Sequence, residues 1–151
     1  MKRFVIALLV VGLFCAPAFA GGGLDAFIGD LNVQARVDLP GFSARIGAQF
    51  GVPVLQVQAV ISAVAAPADA FMVFQLGQWS HRPPEEVLPV YKRNRGKGWG
   101  VIAKSLGIKP GSAEFHALKR GDLVLRGGPG AGQGDGPGNG HGKGKSKGHK
   151  R

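Results

Sequence analysis

Cysteine is almost missing from this chain: the single one, Cys15, lies within the first twenty residues. Those residues have the layout of a secretory signal peptide, with Lys2 and Arg3 before an apolar stretch and small Ala18 and Ala20 at a cleavage site. Cleavage after Ala20 would remove Cys15. We therefore expect a mature chain without disulfides, thiolate metal ligands or a cysteine nucleophile.

A membrane-spanning run is lacking as well. The apolar stretch at residues 4–14 is far shorter than the roughly 20 residues that a spanning helix needs. Bulky Phe14 precedes Cys15, where a lipoprotein signal has a small residue. The sequence therefore predicts that residues 1–20 are a signal peptide and that the mature protein is exported, either periplasmic or secreted.

Acidic residues are few, with 9 Asp/Glu against 19 Lys/Arg. Residues 127–151 contain 11 glycines, five Lys/Arg and one Asp, and have almost nothing to bury, so we expect a disordered tail there. Residues 21–30 are assigned as a lead-in and residues 31–126 as one small globular domain. The excess of positive charge favours an anionic binding partner, which could be anionic lipid, acidic polysaccharide or nucleic acid. Charge alone does not select one of the three.

Paired groups for chemistry are also lacking. Glu85 and Glu86 are adjacent, so on a helix they point in different directions, and no nucleophile elbow marks a Ser, His and Asp set. No two histidines have ligand spacing on one helix face. They are His81, His116, His141 and His149. We therefore predict no catalytic residue, no metal site and no cofactor, and interpret the protein as a non-enzyme.

What the chain does contain is a regular alternation of apolar and polar residues over 31–50. In register about Pro40 and Gly41, the apolar pairs are Leu39–Phe42, Val37–Ala44, Ala35–Ile46, Val33–Ala48 and Leu31–Phe50. Because all these side chains then share one face, the pattern predicts a β-hairpin. Arg36 and Arg45 would face each other on its polar side, which suggests an anion contact.

A helix-turn-helix over residues 46–60 is the alternative for part of this stretch. Its second helix would present Pro53, Val54, Leu55 and Ala59, with no donors for base edges. An exported protein also does not meet the chromosome. Chromosomal DNA is therefore excluded as a partner, and the hairpin is preferred.

Helical signals dominate from Pro53 onward. Apolar residues at helical spacing, prolines at helix starts and capping residues predict about five short helices. They lie near residues 53–64, 68–79, 84–95, 99–106 and 112–119. The second is apolar on most sides, as a central helix is. Pro89 is expected to kink the third. A weak echo 26 residues apart, from Leu76–Gly77 to Ile102–Ala103, suggests two helix-turn-helix hairpins in series. The predicted class is α+β, a hairpin under helices.

The most basic stretch follows the third predicted helix and contains Lys92, Arg93, Arg95, Lys97 and Lys104. With Tyr91 and Trp99 beside it, this acid-free cluster suits polyanion backbones and stacking. The structural alternative, which we prefer, is a helix end whose cations match its dipole, next to a Trp in the core. Weak polyanion binding is then the best functional hypothesis.

Two segments carry a family resemblance: GKGWGVIAKSLGIKPGSAEFHALKRG, which ends at Gly121, and PADAFMVFQLGQ, which begins at Pro67. With the Gly-, Lys- and His-rich tail, they resemble a group of small exported bacterial proteins. Pro89 departs from the helix former expected at that position. The resemblance implies export and a shared fold, and it places no catalytic residue on this chain.

Three functional hypotheses follow. The first is an accessory or binding protein that contacts an anionic envelope polymer, lipid surface or extracellular nucleic acid through the basic cluster and the tail. It predicts salt-sensitive binding to heparin or anionic vesicles, weakened by deletion of residues 127–151. The second is a helical adaptor for an envelope protein, and the third is an exported enzyme.

Overall fold

The computed structural model describes residues 22–127, which form seven α-helices that account for 73% of this part. In chain order they are α1 (Gly22–Val37), α2 (Leu39–Phe50), α3 (Val54–Ala63), α4 (Pro67–Ser80), α5 (Pro84–Asn94), α6 (Trp99–Ser105) and α7 (Ala113–Arg120). No strand occurs between residues 22 and 127, so the α+β prediction is wrong. The predicted signal peptide, and all of the predicted tail except Gly127, lie outside the described residues.

The predicted hairpin is instead the second half of α1 followed by α2. Positions that alternate along a chain include positions four apart, and residues four apart share one face of a helix. Accordingly, Leu31 and Ala35 are buried on α1, while Phe42 and Ile46 are buried on α2. The intervening members of the predicted apolar face are exposed, namely Val33, Val37, Leu39, Ala44 and Ala48.

Pro40 and Gly41 belong to the first turn of α2 rather than to a β-turn. Asp38 is the N-cap, and its Oδ1 accepts a hydrogen bond from the Gly41 N–H at 2.9 Å. A Cβ on Gly41 would overlap the Asp38 carboxylate, so glycine is the residue that fits beneath this cap. An acidic N-cap followed by proline in the first turn favours the start of a helix. This local signal explains why the chain forms α2 here rather than the predicted β-turn.

α2 and α3 form a helix-turn-helix corner with a bend of 113°. Gly51 ends α2 in the left-handed conformation, with φ of 67°, and Pro53 precedes the first residue of α3. The helix-turn-helix that we rejected from the sequence is therefore the observed local architecture. α3 contains no charged residue for a nucleic-acid backbone.

α4 is the central helix, as its apolar composition predicted. Ala68 and residues 70–77 are all buried, and α4 packs against α1, α2, α3 and α5. The Phe71 ring meets the rings of Phe27 and Phe50 edge-on, at centroid distances of 5.3 and 5.6 Å. Each large apolar side chain buried in this way stabilises the fold by about 1.5–3 kcal/mol.

The helices predicted after Pro53 are confirmed. α5 begins at Pro84 with two acidic residues and ends with two basic ones, which matches its dipole at both ends. Pro89 lies inside α5, and the helix continues past it to Asn94. At α7, Ser112 is the N-cap, and its Oγ accepts a hydrogen bond from the Phe115 N–H at 3.2 Å.

The first turn of α1 lies directly against the end of α7. A Cβ on Gly23 would overlap the Arg120 carbonyl, and one on Gly121 would overlap the Gly23 backbone. Gly121 also has a positive φ of 73°, so glycine is required there for conformation as well as space. This close approach brings α1 beside α6 and α7 and creates a groove among the three helices.

After α7, the chain runs back along α2. The Gln49 side chain donates a hydrogen bond to the Val124 carbonyl at 3.0 Å and accepts one from the Arg126 N–H at 2.8 Å. Leu123 and Leu125 of this segment are buried. Residues 122–127 are therefore part of the folded domain.

Candidate anion-binding groove

A groove of about 390 Å³ lies between the first turn of α1, the start of α6 and α7. Its charged lining consists of Asp25, Lys97, Lys104 and Lys119. Its apolar lining consists of Leu24, Trp99, Val101, Phe115 and Leu118. Trp99 and Phe115 are only partly buried and the three lysines are exposed; the two rings are called the aromatic floor of the groove, and the lysines its cationic rim.

Glycines around Trp99 shape the start of α6. Gly96 and Gly98 have φ values of 85° and 88°, a region that side chains disfavour, so the loop that carries Lys97 depends on both glycines. Gly100 has a different role. A Cβ at Gly100 would lie 3.7 Å from Phe115 Cζ, so the missing side chain leaves open space beside the groove floor.

Trp99 is held by a polar anchor beneath it. Its ring stacks on Tyr91, with centroids 5.6 Å apart and ring planes 24° apart. The Tyr91 hydroxyl donates to Asp69 Oδ2 at 2.6 Å and accepts from the Ala65 N–H at 3.1 Å. Burial, reinforced by the hydrogen bond to Asp69, raises the pKa of Tyr91 above its ordinary value. Tyr91 is therefore neutral at ordinary pH and gives Trp99 a fixed platform.

The charged groups of the groove are free to meet a ligand. Lys97, Lys104, Lys119 and Asp25 are all exposed. Within residues 22–127 the ion pairs are Arg82–Glu86 and Arg120–Asp122, and neither involves a residue of the groove. Three lysines against one carboxylate leave an excess of two positive charges around the apolar floor.

The predicted basic cluster is divided between several surfaces. Lys97 and Lys104 line the groove, whereas Lys92 and Arg93 are exposed in the last turn of α5 and do not line it. In the folded chain, Asp25 of α1 lines the same groove as Lys97 and Lys104, so the groove contains one acid although the basic stretch of sequence has none. The structure therefore keeps two of the five predicted cations together in the groove.

Arg95 lies on the other side of Trp99. It lines a neighbouring cavity of about 290 Å³, together with Asp69 and Tyr91. The Asp69 carboxylate anchors Tyr91 there, so this cavity contains an acid as well as a cation. Gly98 and Trp99 border both cavities, so Arg95 and the lysines of the groove line neighbouring cavities rather than the same one.

Arg36 and Arg45 do not oppose each other, because the hairpin on which that prediction depended is absent. Arg36 is exposed in the last turn of α1. Arg45, on α2, donates to Gln34 Oε1 at 2.8 Å, and its guanidinium carbon lies 6.0 Å from the centroid of the Phe42 ring. Arg45 therefore has a local packing role, and the cross-strand pairing from which we predicted an anion contact at the two arginines is absent.

Sequence reasoning missed three residues of the groove: Lys119, Phe115 and Asp25. Phe115 and Lys119 are four residues apart on α7, so helical periodicity alone could have placed both on one face. Asp25 could not be placed, because it lies in the segment assigned as a lead-in and reaches the groove only through the contact of α1 with α7.

Among residues 22–127, no three His, Cys, Asp or Glu side chains are grouped so as to hold a metal ion. In the same part, no single helix is both long and apolar enough to cross a membrane, and α2 with α3 reaches that length and apolarity only across the 113° bend.

Comparison of the chain with protein-family models, with curated proteins and with solved structures found no match. The resemblance to small exported bacterial proteins and the export of the chain therefore stay predictions.

Proposed function

We propose that this chain is an exported, non-catalytic accessory protein that binds an anionic polymer through the groove between α1, α6 and α7. One observation carries the proposal: Lys97, Lys104 and Lys119 come from a loop and two helices and converge on one groove. Within residues 22–127, none of these lysines forms an ion pair. Lysines that are unpaired and exposed lose little when an anion approaches, because they have no existing partner to give up.

The strength expected of such a site is modest. Each exposed lysine near an anionic surface contributes about 1 kcal/mol or less, so three of them account for about 10- to 100-fold in affinity. Binding of this kind weakens with added salt, because exposed charges are screened over about 8–10 Å at physiological ionic strength. The five Lys/Arg of residues 127–151 add further positive charge that follows the domain.

The test is retention of the mature chain, from residue 21 to the C-terminus, on immobilised heparin in a salt gradient. The groove variant replaces Lys97, Lys104 and Lys119 with Gln. The matched control replaces Lys92, Arg93 and Lys109 with Gln, which removes the same charge from exposed positions outside the groove. We expect elution at clearly lower salt for the groove variant than for the control.

Equal losses in the two variants would show that only net charge matters and would remove the groove from the proposal. Retention that does not respond to salt would remove polyanion binding altogether. A third arm deletes residues 128–151 and measures the contribution of the tail, which we expect to weaken retention without abolishing the difference between the groove variant and the control.

A further inference from the structure

We infer that the polymer recognised by the groove is an acidic polysaccharide, with one sugar ring against Trp99 and Phe115 and its anionic group facing the lysines. This inference rests on the proposed function, because it names the substrate class of that same groove. It depends on the juxtaposition of aromatic floor, lysine rim and a single carboxylate, Asp25.

The aromatic floor favours a ligand with an apolar face. Trp99 and Phe115 both border the groove and are only partly buried, and Trp99 is fixed by its stack on Tyr91. A pyranose ring presents C–H groups on one face and hydroxyls at its edge, so it can contact an aromatic surface while its substituents reach polar side chains. A preorganised aromatic surface also lowers the entropic cost of binding.

Asp25 distinguishes a sugar chain from a nucleic acid. A single nucleic-acid strand carries one negative charge about every 3.4 Å, so a bound segment would bring phosphates close to an exposed carboxylate in the same groove. An acidic polysaccharide carries free hydroxyls beside its carboxylate or sulfate groups. Those hydroxyls can donate hydrogen bonds to Asp25 while carboxylate or sulfate groups meet Lys97, Lys104 and Lys119.

The partial burial of the two rings favours a sugar chain over a lipid surface. A flat anionic surface can reach exposed lysines, but partly buried rings are more accessible to a single chain that enters the groove. The volume of about 390 Å³ lies at the lower end of the roughly 300–1,000 Å³ typical of ligand sites, so it holds a short segment of a chain rather than an extended surface.

Gly100 provides the sharpest test, because it can be changed without removing any charge. It is the second residue of α6 and does not have a positive φ, and a Cβ there meets only Phe115, at an ordinary contact distance of 3.7 Å. Gly100→Leu would place a side chain over the aromatic floor. Ala44→Leu, at an exposed position of α2 outside the groove, adds comparable bulk as the control.

The experiment measures binding of four probes to the mature full-length chain and its variants by titration in moderate salt. The probes are heparin, neutral dextran, inorganic polyphosphate and a single-stranded oligonucleotide. We expect heparin to bind and dextran not to bind. Gly100→Leu should weaken heparin binding by about tenfold or more, with weak polyphosphate binding unchanged and Ala44→Leu without effect. Thermal unfolding of each variant checks that the fold is retained.

An independent reading comes from fluorescence. The chain has two tryptophans, so Trp79→Phe leaves Trp99 as the sole indole. In that background, a heparin oligosaccharide should change the Trp99 emission, and polyphosphate should not. Gly100→Leu should remove this change. Emission before and after addition of the oligosaccharide is compared in the same folded sample, so a difference in stability between variants does not affect the result.

The outcomes separate the two claims. If Gly100→Leu leaves heparin binding intact while the triple lysine variant weakens it, the proposed function stands and the polysaccharide inference falls. If the oligonucleotide binds more tightly than heparin and is the probe that Gly100→Leu weakens, the groove is a nucleic-acid site and the inference is wrong. If none of the charged probes binds, the proposed function fails and the inference fails with it.

Discussion

The corners α2–α3 and α4–α5 are two versions of one structural unit, 30 residues apart. Each first helix contains a glycine whose carbonyl accepts a hydrogen bond from the N–H five residues later. These bonds join Val52 to Gly47 at 3.0 Å and Arg82 to Gly77 at 2.9 Å. The same bond recurs at the end of α6, where the Ile108 N–H donates to the Ala103 carbonyl at 3.0 Å, which is the 26-residue echo seen in the sequence.

Both units then turn in the same way. The first helix ends in a left-handed residue, which is Gly51 in one unit and His81 in the other. Two residues later a proline, Pro53 or Pro83, precedes the first residue of the next helix. Such helix ends satisfy backbone carbonyls that would otherwise lack a partner, so the turn depends on backbone chemistry and tolerates different surface residues.

The two units differ on their surfaces. Their matched core positions are buried in both, namely Phe42 with Met72, Ile46 with Leu76, Val57 with Val87 and Val60 with Val90. In contrast, α3 has no charged residue, whereas α5 has acids at its start and bases at its end. The turn and the buried positions therefore define the unit, while the exposed positions are free to acquire function.

The largest expected effect comes from the matched core positions. Phe42→Ala and Met72→Ala remove side chains that are fully buried, and each should lower the free energy of unfolding by about 2–5 kcal/mol, measured by urea denaturation. If Phe42→Ala costs less than about 0.5 kcal/mol, as an exposed site would, α2 does not belong to the core with α4 and the comparison breaks.

The matched glycines come next. A Cβ at Gly47 or Gly77 would lie 2.8 Å from the carbonyl oxygen of Val52 or Arg82. Replacement by Ala should therefore destabilise each corner by about 1–3 kcal/mol. Gly29→Ala on α1 is the control, because nothing lies within 4 Å of its Cβ, and there the helix should gain up to about 1 kcal/mol. A gain at all three positions would contradict the close turn.

The buried hydroxyl of Tyr91 is a polar feature of the second unit alone. The matching position of the first unit is Ile61, which has no hydroxyl. Tyr91→Phe should cost about 1–2 kcal/mol through the lost hydrogen bonds to Asp69 and Ala65. The raised pKa of Tyr91 means that the native state holds this proton more tightly than the unfolded chain. Its contribution is therefore complete below pH about 10 and is lost as pH rises through the native pKa.

Tyr91 is the only tyrosine of the chain, so tyrosinate absorbance in an alkaline titration reports this group alone. Unfolding experiments on both sides of pH 10 should show a smaller alkaline loss of stability in Tyr91→Phe than in the natural chain. An absorbance titration at or below the ordinary tyrosine pKa would show that the hydroxyl is not anchored.

The left-handed turn residues should respond in opposite directions. Gly51→Ala introduces a Cβ at a φ of 67° and should cost about 1 kcal/mol, whereas His81→Gly relieves a φ of 55° and should gain up to about 1 kcal/mol. Thermal unfolding midpoints provide the measurement. Effects of the same sign would indicate that the two corners do not share a turn.

The smallest expected effect distinguishes a helix from a hairpin. Ala44 is exposed on α2, so Ala44→Lys should change stability by less than about 0.5 kcal/mol. In the hairpin, Ala44 would have been on the apolar face, and a lysine there would have been costly. A clear loss of stability in Ala44→Lys, with Ala44→Leu unaffected, would favour the hairpin again.

Much of the second half of the chain was predictable because its signals are local. Pro84 with two acids, Ser112 as a cap and the apolar stripe from Trp99 each specify a helix within a few residues. The same kind of signal at Asp38 and Pro40 was outweighed by an alternation that fits a strand as well as a helix. For the groove, Lys97 and Lys104 were found from sequence, and Lys119 was within reach of periodicity.

Sequence alone was enough to place α3 to α7 to within about two residues, and to predict the central position of α4 and the excess of positive charge, because caps, composition and side-chain charge do not depend on distant contacts. Tertiary packing was needed to show that residues 31–50 form parts of two helices and that Asp25 and Lys119 meet Lys97 and Lys104. An alternating pattern contains both a strand face and a helix face. Which of them is buried depends on packing against α4, and which charges converge depends on the contact of α1 with α7.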